Sequence, residues 1–172
     1  GDFALRSFVE FLSSRTKIVS VAHHSHALGT ILPIRRIVEL SHARGVPGFG
    51  AGAQAVPRMP VDVQELGCDF YAFASHKIYG PSGVGVLYGR SELLEAMPPY
   101  QGGGDMIRSV TFEKTTFNAL PYKFEAGTPN IAGGIALGAA LDYVSRVGLP
   151  AIAAPGQDLL AAATARRAWI PG

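Results

Sequence analysis

The chain has 172 residues, 48% of them apolar and 16% charged, and a net charge of +2. That length suits one domain with a substantial core, and a share of charge below the roughly 25% of a typical globular chain implies apolar surface for a second domain or subunit to cover. The small, unclustered positive charge speaks against nucleic acid, and no apolar run approaches the roughly 18 residues that span a bilayer.

Residues 1–15, "GDFALRSFVEFLSSR", carry acids and no signal-peptide core, so a soluble, cytoplasmic protein is expected. Within them Leu5, Phe8, Val9 and Leu12 form a helical stripe. "KIVSVA" (Lys17 to Ala22) is short, β-branched and apolar and reads as a buried strand. In "HHSH", on an extended segment, His24 and His26 share one face while His23 points away. Two imidazoles without a nearby carboxylate or thiolate make a poor zinc site, so no metal is expected. "PIRRIVELSHARG" opens on Pro33 and closes on Gly45, the punctuation of a helix. "VPGFGAGAQAV" takes the next strand-to-loop position, although its glycines weaken a strand.

"VDVQELG" predicts a short helix, "CDFYAFA" a strand, "GVGVLYG" another strand and "SELLEAM" a helix. From Pro98 to Thr128 the chain is rich in Gly, Thr and Pro, which predicts a long functional loop with one short extended piece. "IAGGIALGAALDYVSRVG" and "AIAAPGQDLLAAATARRA" predict two helices, with Pro155 and Gly156 weakening the start of the second. Alternating strands and helices predict an α/β fold with a mostly parallel sheet flanked by helices. Ligands of such sheets lie beyond the carboxyl ends of the strands, where Lys77 falls. A lysine there is either a solvated surface charge or a nucleophile whose pKa burial and a neighbouring cation, here His76, depress. A Schiff base to a carbonyl cofactor is the natural use of such an amine. The lone cysteine, Cys68, excludes an internal disulfide and reads as a small buried hydrophobe.

Three separated blocks in order, "DFYAFASHKIYGPSGVGVLYGR", "PPYQGGGDMI" and "KFEAGTPN", resemble the cofactor-lysine half of cysteine desulfurases. The narrower resemblance is to Suf-type desulfurases and selenocysteine lyases in the class-V aminotransferase superfamily, and it runs from "TKIVSVAHHSHALGTILPI" to "LGAALDYVSRVGL". It implies part of the large pyridoxal 5'-phosphate (PLP)-binding domain of fold type I over residues 1–148. Residues 149–172 would then begin the connection to a C-terminal small domain. It also implies PLP on Lys77, which moves the substrate Cα proton as base and acid. His76 would bind the phosphate, Gln54 the pyridine O3', and His26 would stand where relatives carry an asparagine facing cofactor and substrate. Thr128 would reach the phosphate of a neighbouring subunit, with Gly102, Gly103 and Gly104 shaping that site, so a homodimer is implied. The implied reaction takes L-cysteine to L-alanine and leaves sulfur as an enzyme persulfide for an acceptor protein, as in iron–sulfur cluster assembly.

The departures from that pattern are equally specific. Ala51 replaces the aspartate that pairs with the pyridine nitrogen, Gly48 and Gly50 replace bulky aliphatics, and Ala74 replaces a phosphate-binding serine. Ser75, one residue on, points to the opposite face if the strand continues. Neither the persulfide-forming cysteine nor the arginine that grips the substrate carboxylate has a counterpart. The expectation is therefore a truncated, impaired desulfurase-like protein. The alternatives are an inactive remnant that at most dimerises or binds PLP weakly, and a selenocysteine lyase or other class-V activity.

Overall fold

The computed structural model describes residues 5–167. Helix α1 (Leu5–Phe11) leads into β1 (Val19–Ala22), α2 (Ile34–His42), β2 (Gly48–Ala51), α3 (Val63–Leu66) and β3 (Phe70–Ala74). After the lysine turn come β4 (Gly85–Gly89), α4 (Ser91–Ala96), β5 (Ile107–Val110), β6 (Thr115–Phe117), α5 (Ile131–Val147) and α6 (Leu149–Arg167). The main sheet has the order β1-β2-β3-β4. β1, β2 and β3 run parallel, with Ala22 beside Ala51 and Ala51 beside Ala72. β4 returns antiparallel to β3, because the connection over residues 75–84 is too short for a parallel crossover.

Local chemistry sets the helix limits. Asp62 caps α3 by accepting from the N–H groups of Gln64 and Glu65, and Gly67 ends it at φ 67°. Asn130 caps α5 through a bond from Gly133 N–H. Gly45, at φ 67°, follows α2. α6 begins earlier than expected, at Leu149, and runs through Pro155 rather than being interrupted there. The proline forgoes one hydrogen bond in the second turn.

Helices α1, α2, α3 and α5 pack on the sheet face that carries Val19, Val21, Tyr71 and Phe73. There Ile34 and Val38 of α2 pack with Cys68 and Tyr71, and Leu137 and Val144 of α5 pack with Ile78. β2 keeps its strand despite its glycines because Tyr71 uses their missing side chains. A Cβ on Gly50 would lie 2.5 Å from the tyrosine ring, and one on Gly52 2.1 Å from it. The ring therefore lies flat over β2, and its hydroxyl meets buried His23 Nδ1 at 2.8 Å. At the other end of the sheet the buried Asp69 carboxylate accepts from Gly48 N–H and bonds His42 Nε2, each at 2.7 Å, tying α2 to the starts of β2 and β3.

Two expectations need correction. Residues 98–128 are more ordered than a loop with one extended piece. β5 and β6 pair as an antiparallel hairpin, and a 3₁₀ turn (Tyr122–Phe124) comes after it. The segment after His23 is not extended either. Ser25 Oγ accepts from Ala27 and Leu28 N–H and Gly29 N–H bonds the Ser25 carbonyl, so His26 sits on a turn and the shared face with His24 does not exist.

Burial, and secondarily His24, lower the pKa of His23 below its ordinary 6.5. The unfolded chain then binds more protons than the native one as pH falls through that value, so this residue's contribution to stability is lost in acid. Thermal unfolding from about pH 7.5 to about pH 5.5 should show a falling midpoint that His23→Gln makes flatter. Identical slopes in the two proteins would contradict a neutral, buried His23.

Candidate functional site

The parallel register sends three chain segments out of one sheet edge. Beyond Ala22 come His23 and the Ser25–Gly29 turn. Beyond Ala51 comes a helical turn holding Gln54, and beyond Ala74 comes the 3₁₀ turn Ser75–Lys77. Backbone bonds hold these exits side by side: His23 N–H donates to Ala51 O at 2.9 Å and Gly52 N–H to Ala72 O at 2.8 Å. His26, Gln54, His76 and Lys77 thus share one rim, the position at which α/β sheets bind ligands.

Lys77 stands in the 3₁₀ turn and, like His76, is exposed. This corrects the expectation that strand-end burial prepares the amine, since the described chain does not bury it. Ile78, next in sequence, is the residue that enters the core. The turn is fixed by Ile78 and Gly80 N–H groups donating to the Ser75 carbonyl, and Tyr79 takes a left-handed φ of 64° between them. Gln54 is half-buried and its Oε1 accepts from Arg58 Nη1, so a ligand competes with an internal bond for it. Ala51 is half-buried at the end of β2. Thr128 is exposed and lies on a different segment, two residues before the cap of α5, and is not part of this rim. Cys68 is 1% exposed and burial pushes its thiol pKa up, the opposite of a reactive sulfur. The apolar hollow of about 300 Å³ between the sheet and α5, lined by Val56, Met59, Tyr71, Phe73 and Leu141, holds none of the candidate residues.

Sequence reasoning missed Lys123, which is 9% exposed and donates from Nζ to Leu94 O at 3.0 Å and Glu95 O at 2.7 Å. A lone lysine in a polar stretch carries no sign of burial. Ser75 is fully buried, and its Oγ has no hydrogen-bond partner among the described residues. It packs against Gly80, where a Cβ would lie 2.1 Å from that oxygen.

The family model for class-V aminotransferases matches residues 1–172. The chain belongs to the class-V aminotransferase family. It is 52% identical to a cysteine desulfurase of Synechococcus elongatus over 100% of its own length and 28% of that protein's. With a cysteine desulfurase of Dickeya dadantii it shares 51% identity, over 99% of this chain and 42% of the other. The crystal structure of the cysteine desulfurase CsdA from Escherichia coli superposes with a TM-score of 0.82 at 42% identity, covering 86% of this chain and 37% of that one. The chain thus spans well under half the length of these relatives and has the mixed, mostly parallel sheet of PLP fold type I desulfurases. The class-V family is PLP-dependent in general.

An unpaired buried hydroxyl is a cost, so Ser75→Ala should leave stability unchanged or raise it by about 1 kcal/mol in denaturant titration. A loss of similar size would mean that Ser75 Oγ has a partner.

Proposed function

We propose that this chain is the cofactor-lysine segment of a cysteine desulfurase-like protein, with Lys77 as the residue that attaches PLP. The observation that carries the proposal is the placement of Lys77 on an exposed 3₁₀ turn at the carboxyl rim of three parallel strands, in a chain about half identical to cysteine desulfurases. The donor set fits the group in part. An accessible amine suits its aldehyde, His76 suits its phosphate, and Gln54 suits its ring oxygen once the Arg58 bond gives way. At Ala51 the fit fails, since an alanine offers the ring nitrogen no charge.

When bound, PLP supplies an electron sink for the bond broken at the substrate Cα. With the group bound, Lys77 Nζ would take and return the Cα proton, its reach set by the short turn from Ala74. His26, on its turn at the end of β1, lies where it can donate to cofactor or substrate. Thr128 serves the phosphate site of a second copy, which makes the working unit a homodimer. The desulfurase family acts on L-cysteine and often functions as a dimer. Within this reading residues 1–148 are part of the large domain and 149–172 begin the connection to a small domain. Conversion of L-cysteine to L-alanine, and delivery of the sulfur to an acceptor protein, require a thiolate and a carboxylate-binding arginine that no described residue provides. Among the described residues no single helix is long and apolar enough to cross a membrane.

A second reading, a weak PLP-binding module without turnover, is favoured by Ala51 at the end of β2. Titration with PLP should give a visible absorbance band with the wild-type chain and none with Lys77→Ala, while alanine and sulfide release from cysteine stays near background. A band of equal strength in Lys77→Ala would refute the assignment. Ala51→Asp should tighten PLP by about tenfold or more, given that losing one member of a buried charge pair costs roughly 2–5 kcal/mol. Unchanged affinity would contradict the position given to Ala51.

A further inference from the structure

Lys123 is buried, and among the described residues no carboxylate pairs with its Nζ. Its Nζ bonds the Leu94 and Glu95 carbonyls, in the last turn of α4, and lies 5.5 Å from the centre of the Phe124 ring. Helix-end carbonyls carry partial negative charge and stand in for water around such a cation. α4 in turn packs Leu94 against the end of β4, where a Cβ at Gly89 would lie 2.9 Å from the Leu94 side chain. Lys123 therefore connects the sheet, through α4, to the residues next to it in the chain.

Glu125 to Thr128 come directly after this anchor and are bonded to the triglycine segment. Gly127 N–H donates to Gly104 O at 2.9 Å, and Gly103 lies so close that a Cβ there would be 3.1 Å from Ala126 Cβ. Asn118 closes the other side, its N–H donating to Met106 O at 2.9 Å and its side-chain amide to Asp105 O. Met106 is fully buried. Gly103 to Met106, Asn118, Ala126 and Gly127 thus form one packed and bonded plate, which Thr128 directly follows in the chain.

We infer that Lys123 is a positioning residue for the neighbouring subunit's cofactor site: by fastening this plate to α4 it sets where Thr128 and the triglycine segment stand. The inference rests on the proposed PLP site at Lys77 and on its completion by a second copy. Lys123 acts in trans, and its effect is read at the partner's lysine.

The test uses the full chain with PLP as the probe. Lys123→Met should weaken PLP binding at least about tenfold, since small misplacements of positioning groups are costly, while Lys123→Arg, which keeps the donors, should retain most of the affinity. Gly103→Val, which pushes on Ala126 and leaves Lys123 in place, should weaken PLP as well and covers the case in which Lys123→Met fails to fold. The decisive readout is a mixed dimer of Lys123→Met and Lys77→Ala chains. One site per dimer then combines an intact Lys77 with an intact plate and should bind at wild-type affinity. The inference is overturned by wild-type affinity in both Lys123→Met and Gly103→Val, or by a defect that persists in the mixed dimer. A wild-type chain that takes up no PLP overturns the underlying site as well, which separates the two failures.

Discussion

Parallel pairing of β1, β2 and β3 is the constraint on which the site depends. Three parallel strands must end at one edge, so the residues beyond Ala22, Ala51 and Ala74 are neighbours however far apart in sequence. The register is held at one end by buried Asp69, which receives the first N–H of β2 and a bond from α2. At the other end it is held by Tyr71, whose ring needs Gly50 and Gly52 beneath it and whose hydroxyl meets His23. A one-residue slip would reverse the faces of Tyr71 and Phe73 and misalign the rim. Burial pushes the Tyr71 phenol well above its ordinary pKa and lowers that of His23, so both shifts favour the uncharged pair.

The features legible in the sequence were those written in local patterns. "CDFYAFA" before "GPSG" placed Lys77 after a strand, and Pro33 and Gly45 bracketed a helix that the structure forms over Ile34–His42. Pairings made over long separations were not legible. The hairpin of β5 and β6 is short, exposed and rich in Thr, with weak alternation. The turn at Ser25 depends on one side-chain oxygen choosing two backbone N–H groups. The burial of Lys123 depends on the end of α4, 28 residues away. The glycines of β2 looked like lost packing until the ring of Tyr71 was seen to occupy their place.

The site combines a well-built frame with an incomplete set of charges. The strand ends, the 3₁₀ turn and the plate around Gly104 and Gly127 are ordered by ordinary backbone bonding. Ala51, at the end of β2, carries no charge, and the buried Ser75 hydroxyl has no hydrogen-bond partner among the described residues.

The central claim is that one amine, that of Lys77, condenses with PLP. Borohydride reduction of the PLP-treated chain, with peptide mapping by mass spectrometry, tests it directly. The expected result is the pyridoxyl mass on the peptide containing Lys77 at a PLP concentration that leaves the other lysines unmodified. A label spread evenly over exposed lysines, or absent from Lys77, would contradict it.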